Sequence, residues 1–148
     1  MKISSPAFAP GDVMPDRFSQ YGENISPPLE FVDVPPNAES LALIIDDPDA
    51  PKGTFTHWVA YNLDPAASRL AENHLPRGLG QGRNDAGQVG YAGPKPPDGE
   101  HRYFFHLYAL ADRLDLPDGV SRSEVEAAMK GKVLAQASLI GRYATPHM

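Results

Sequence analysis

Proline and glycine set the first limit on this chain. Sixteen prolines and thirteen glycines are scattered through 148 residues, so most of the length cannot sustain a long helix before a residue that lacks a backbone donor or frees φ interrupts it. A β-rich fold with frequent turns follows. Three segments read as its main strands: Ser40 to Ile45, a continuous apolar run, then Thr54 to Leu63, then Arg102 to Leu110. All are rich in branched or aromatic residues and are bounded by Pro, Gly or Asp. Period-two counting places Phe55, His57, Val59 and Tyr61 on one face of the second strand, with Thr56, Trp58, Ala60 and Asn62 on the other. In the third, His101, Tyr103 and Phe105 share a face opposite Arg102, Phe104 and His106. The two histidines, His57 and His101, can meet if these strands pair or converge. Trp58 and His106 read as core or supporting residues, and Arg102 as the partner of an acid behind the sheet.

Weaker signals flank this centre. Ile3, Ala7 and Phe8 ahead of Pro10-Gly11, and Pro28 to Phe31 ahead of Pro35-Pro36, suggest short strands. Residues from Pro65 to Gly93 are poor in periodicity and rich in Gly, Asn and Arg, and read as a long functional loop. Helical logic appears only late. Ser121 to Glu124 fits a capping box, Val125, Ala128 and Met129 mark one face, and Gly131 stops the helix. Lys132 to Leu139 is read as a second short helix. The expected fold is one domain over residues 1–148, mainly β, with one or two short helices near the C-terminal end.

A chain of this length can bury most of its apolar surface unaided. Its net charge of −6 and pI near 5.2 argue against a nucleic-acid footprint or a polybasic membrane patch, both of which need excess Lys and Arg. Any anion must therefore be held locally. Without cysteine there is no disulfide, thiol nucleophile or thiolate-bound metal. The opening Met1 to Pro6 lacks the apolar region of a signal peptide, and no run approaches the roughly 20 apolar residues of a membrane span. A cytoplasmic location without stable membrane insertion is the expectation.

The chemistry concentrates in two places. Asp47-Pro48-Asp49-Ala50-Pro51 fixes two carboxylates on a chain stiffened by its prolines, directly after the first main strand. Far downstream, Gly93-Pro94-Lys95-Pro96-Pro97-Asp98-Gly99-Glu100-His101-Arg102-Tyr103 joins a Gly/Pro loop to a histidine and a tyrosine. A phosphate needs several donors, and His57, His101, Tyr103 and free amides of the Gly87 to Gly93 loop could supply them. Asp47 fits such a site by holding a charged His, by accepting from a protonated phosphate oxygen, or by meeting a ligand ammonium. The alternatives are an acid/base hydrolase in which Asp47 tunes His57 or His101, or a metal-dependent enzyme using Asp47, His57 and His101. No His-Glu-x-x-His, Gly-x-Ser-x-Gly or P-loop pattern supports them, and Gly78-x-Gly80-x-Gly82 lacks the Lys-Ser/Thr of a nucleotide loop.

Together with Glu23-Asn24-Ile25-Ser26-Pro27-Pro28-Leu29 and Leu134-Ala135-Gln136-Ala137-Ser138-Leu139-Ile140-Gly141-Arg142-Tyr143, these segments resemble the phosphatidylethanolamine-binding protein family, in its bacterial branch often called Raf kinase inhibitor-like. The resemblance spans nearly the whole chain. It implies a β-sandwich-like fold with a large central antiparallel sheet, a smaller sheet and peripheral helices, and a pocket for phosphate or phosphorylethanolamine-type headgroups. It further implies Asp47, His57, His101 and Tyr103 as ligand-binding residues, with Gly93 and Pro94 on the loop lining the pocket, and neither catalytic residues nor a cofactor. A phosphorylated small molecule is the implied partner, with a kinase or other regulated protein and self-association as a homodimer alongside it. The chain stops five residues after Tyr143, where eukaryotic members continue into a helix that helps cover the pocket. Closure of the headgroup site and kinase partnership therefore do not carry over directly.

Overall fold

The computed structural model describes residues 1–146. Two antiparallel sheets face each other. The smaller contains β1 (Lys2–Ser4), β2 (Leu29–Val32) and β5 (Arg69–Leu70), in the order β1-β2-β5. The larger contains β3 (Ser40–Asp47), β4 (Phe55–Leu63), β6 (Gly80–Gln81), β7 (Glu100–Leu110) and β8 (Val133–Ala144), in the order β6-β4-β3-β7-β8. A β-sandwich-like architecture with one large and one small sheet is thus what the sequence builds.

β3 lies at the centre of the large sheet and is buried at all its positions, which is why its sequence is continuously apolar rather than alternating. Leu41, Leu43 and Ile45 turn toward the small sheet, where they meet Leu29, Phe31, Leu70, Phe105 and Leu107. Ala42 and Ile44 turn outward and pack with Val59, Tyr61 and the helix residues Val125 and Met129. That helix, α1 (Arg122–Met129), begins with the expected capping box: Ser121 Oγ accepts the Glu124 amide while Glu124 accepts the Ser121 amide. A guanidinium hydrogen bond of 2.8 Å from Arg122 to Asp46 ties the helix to the end of β3.

The second helix expected over Lys132 to Leu139 does not form; Lys132 lies in a turn and Val133 to Leu139 open β8 (Val133–Ala144), which pairs with β7 along its length. Val-Leu-Ala-Gln-Ala-Ser-Leu has adequate helix propensity, but propensities differ by only about 0.7 kcal/mol per ordinary residue. Strand pairing and the burial of Leu139 and Tyr143 outweigh them. The alternation Ala135, Ala137, Leu139, Tyr143 packs one side of β8 into the core and was the signal for a strand. Likewise, the long loop from Pro65 to Gly93 contains two short strands, β5 and β6, each closing an edge of its sheet.

Candidate functional site

The site is built where β3 ends, β4 begins and β7 begins. Asp47 is the last residue of β3, and the turn that follows sends its two acids in different directions. Asp47 Oδ1 accepts the Asp49 amide at 2.8 Å, an interaction internal to the turn, and Oδ2 accepts from His101 Nδ1 at 2.6 Å. Both side chains of this pair are almost wholly enclosed, at 4% and 7% exposure. Asp49 points outward and accepts two guanidinium hydrogen bonds from Arg102, plus the Arg102 amide. Arg102 thus pairs with an acid of this same turn. Its hydrogen bonds hold the Asp49 carboxyl down to about 2 against the small effect of burial. Exposed pairs of this kind contribute little stability, so the contact's consequence is to fasten the turn to β7 beside His101.

His57 reaches the same place by an irregularity. Ile45 pairs with Trp58 and Asp46 with Thr56, which leaves His57 as the extra residue of a bulge in β4. The bulge resets the alternation. His57 and Trp58 therefore both face inward, whereas strict period-two counting had put His57 with Val59 and Tyr61 and Trp58 opposite. Val59 and Tyr61 pack on the outer side of the sheet, and the His57 ring lies edge-on to Tyr103 with centroids 5.2 Å apart. His57 Nδ1 is 2.7 Å from the Ala92 carbonyl, which can only accept, so this nitrogen carries the proton. Burial pushes the imidazole below its ordinary value, despite the opposing Ala92 carbonyl and Asp47 charge. In its neutral form it keeps a bare Nε2.

Tyr103 shares the inward face of β7 with His101, as alternation predicts. Its hydroxyl is fully buried and, among the buried side-chain nitrogens and oxygens of the described residues, is the one with no hydrogen-bond partner. Burial raises its pKa, with the Asp47 charge adding to the effect, so it remains a donor. Asp47, His57, His101 and Tyr103 together line one cavity of about 680 Å³. Among the described residues neither histidine Nε2 has a protein partner, since each ring is fixed through Nδ1.

Gly93 and Pro94 stand behind the cavity wall rather than on its surface, where Lys95, Pro96 and Pro97 are found. The Gly93 amide donates to Asn24 Oδ1 at 2.7 Å, and the Gly93 and Pro94 carbonyls accept from the side chain and amide of Gln20, each at 2.9 Å. The amides of Gly87, Gln88, Gly90 and Ala92 are also committed within the protein. Five of the seven amides in the expected donor loop are therefore already engaged within the protein. Gln20 and the two residues Lys52 and Lys95 also line the cavity and were not singled out from the sequence. Lys52 and Lys95 lie in or next to the quoted motifs, whereas Gln20 sits in a segment with no local signal.

Among the described residues, no three His, Asp or Glu side chains gather closely enough to hold a metal ion. His106 faces outward and binds Asp46 at 3.1 Å, away from the cavity. Burial favours the protonated Asp46 carboxyl, but hydrogen bonds from His106 and Arg122 outweigh it and leave the pKa lowered. No helix among the described residues is long and apolar enough to cross a membrane.

A family model described as phosphatidylethanolamine-binding protein matches residues 4–144. A UPF0098 protein of Methanothermobacter thermautotrophicus is 51% identical over 148 residues, covering 97% of this chain and 98% of its own. Another, from Aquifex aeolicus, is 47% identical over 150 residues, covering 97% and 88%. Among solved structures, the homologue CT736 of Chlamydia trachomatis superposes with a TM-score of 0.94 at 43% identity, covering 98% of this chain and 97% of its own. E. coli YbcL, described as a member of the mammalian family, gives 0.90 at 27% identity, with 98% of both chains covered. On the family match and on relatives of this identity over nearly their full length, the chain belongs to the phosphatidylethanolamine-binding protein family.

Proposed function

We propose that the cavity binds phosphate monoesters without transforming them, and that the protein acts by recognising a phosphorylated small molecule or side chain. One observation carries the reading. A buried tyrosine hydroxyl lacks a protein partner beside two histidines whose Nδ1 atoms are committed and whose Nε2 atoms are left over. An unpaired buried polar group costs about 1–3 kcal/mol, and a phosphate oxygen would satisfy it. A monoprotonated phosphate can also donate to the bare Nε2 of His57, so the site accommodates an anion without first charging that ring. Asp47 serves in this reading as the group that orients His101. A headgroup of the phosphorylethanolamine type and a phosphorylated residue of a partner, a kinase among them, present the same chemistry.

Inorganic phosphate is expected to bind weakly, because a small anion buries little area and sheds its own hydration. An NMR titration of wild type and His57→Ala with inorganic phosphate and phosphorylethanolamine tests the proposal. Saturable shifts of the His57 and His101 ring signals are expected in wild type, with the His101 shift lost in the folded variant. Equal binding by the two proteins, or no binding by either, would overturn it.

A further inference from the structure

The inward position of His57 is held from the far side of the sheet. At the β4 bulge two successive carbonyls, those of Thr56 and His57, both turn toward the 85–92 loop, where they accept the amides of Asp85 at 2.8 Å and Ala92 at 2.9 Å. The bulge has a local alternative. If Asp46 paired with His57 in unbroken register with Ile45 and Trp58, His57 would face outward and Thr56 would take its place in the cavity, because a one-residue shift exchanges the two faces of a strand. The two registers therefore differ in whether Thr56 meets its partner on the outer face.

Arg122, the first residue of α1, is that partner. A single guanidinium nitrogen, Nη1, donates to Asp46 Oδ2 at 2.8 Å and to Thr56 Oγ1 at 3.1 Å. Asp46 and Thr56 pair directly beyond the register shift, each is 5% exposed, and they immediately precede Asp47 and His57 in the chain. One donor thus joins the chain neighbours of two cavity residues. The placement of Arg122 in the helix points the same way. A cation in the first turn opposes the helix dipole, which favours acids there and bases at the other end. Nor does docking of α1 depend on it, since Val125 and Met129 already bury the helix against Ile44, Val59 and Tyr61.

We propose that Arg122 is a positioning residue for the cavity: by clamping Asp46 to Thr56 on the outer face, it selects the bulged register that turns His57 inward. Its effect on ligand affinity rests on the phosphate reading above, whereas its effect on His57 does not. Loss of the guanidinium leaves Asp46 with its His106 hydrogen bond at 3.1 Å, so the strand end keeps a partner, but Thr56 loses its outward tie. The register then slips in part of the population, and the His57 ring leaves the Ala92 carbonyl.

Three variants separate this clamp from simple anchoring of the helix. Arg122→Leu removes both bonds, Thr56→Val removes the hydroxyl while keeping a branched side chain, and Val125→Ala loosens α1 through its apolar contact alone. NMR of the unliganded proteins follows the His57 Nδ1 proton, which wild type should show as one slowly exchanging signal held by the Ala92 carbonyl. Arg122→Leu should split or lose that signal and Thr56→Val should weaken it. Val125→Ala should lower Tm and leave it unchanged. Affinity for inorganic phosphate should follow the fraction of molecules that keep His57 inside, falling about tenfold where that fraction drops to about one tenth. An unchanged His57 signal in either folded clamp variant, or an equal change in Val125→Ala, would overturn the clamp and leave the phosphate site standing; Thr56→Val decides alone if Arg122→Leu does not fold. If the signal responds as expected but no protein, wild type included, binds phosphate, the clamp stands and the phosphate reading falls.

Discussion

Tyr103 is the residue whose chemistry is least explained by the fold. Aromatic packing accounts for its ring, which is enclosed with Phe105 and Leu107 in the inter-sheet core, but not for a hydroxyl with no partner. Tyr103→Phe separates the two roles. The variant keeps the ring and removes the unpaired group, so the unliganded protein should be stabilised by about 1 kcal/mol, which corresponds to roughly 2–4 °C in Tm for a chain of this size. Affinity for phosphate should fall by about tenfold or more, the loss expected for a hydrogen bond to a charged group worth about 1.5–3 kcal/mol. Thermal unfolding and titration of one preparation check both signs, and a variant that is less stable yet binds unchanged would make the hydroxyl a structural group. At this scale the sequence was legible on β7, where simple alternation puts His101 and Tyr103 together. It was not legible on β4, because a bulge at His57 depends on pairing with β3 and has no local signature. The Asp47 carboxylate was visible and its bond to the Asp49 amide is local, but its engagement by His101 depends on two distant segments meeting.

Elements explain why the Gly/Pro loop takes the path it does. Gly93 is buried with its α-carbon pressed against the 16–24 segment: a Cβ there would lie 2.0 Å from the Phe18 carbonyl oxygen and 2.9 Å from Asn24 Oδ1. The close neighbour is backbone, so it cannot rotate aside. Gly93→Ala should cost roughly 1–3 kcal/mol as overpacking and push residues 94–97 away from their wall of the cavity. Chemical denaturation should report the first effect. A weakened response of the Lys95 to Pro97 backbone signals to phosphate should report the second, and a variant as stable as wild type with an unchanged response would contradict this account. The sequence marked the loop through its composition, yet assigned Gly93 and Pro94 to the ligand surface, whereas the packing needs them one layer behind it. β8 illustrates the same limit at greater length. Local propensity suggested a helix over its first half, and the weak alternation of Ala135, Ala137 and Leu139 takes effect only through pairing with β7. Conversely, α1 was legible almost to the residue, because capping and termination are written in neighbouring side chains.

For the molecule as a whole, the two sheets share an inter-sheet core that runs from Ile3 to Tyr143, and the cavity's histidines sit at its margin. A compact chain of under about 150 residues with such a core is expected to unfold cooperatively, so a proton taken up by one buried side chain is read out as global stability. His57 supplies the test. Its folded value lies below the ordinary 6.5 because burial disfavours the imidazolium. Below that ordinary value the unfolded chain binds a proton that the folded chain resists, so the unfolded state gains. The stability contributed by a neutral His57 is therefore complete above about pH 6.5 and is lost as pH falls through the depressed folded value. Asp46 and Asp49, also lowered, act in a separate window: their contributions are complete above the ordinary carboxylate range and decline only in stronger acid. Thermal midpoints measured from pH 8 to 5 should fall below about pH 6.5 in wild type and fall less steeply in His57→Gln, which keeps a polar side chain but cannot titrate. Identical slopes in the two proteins would mean that His57 accepts its proton without cost and that burial does not oppose the charge.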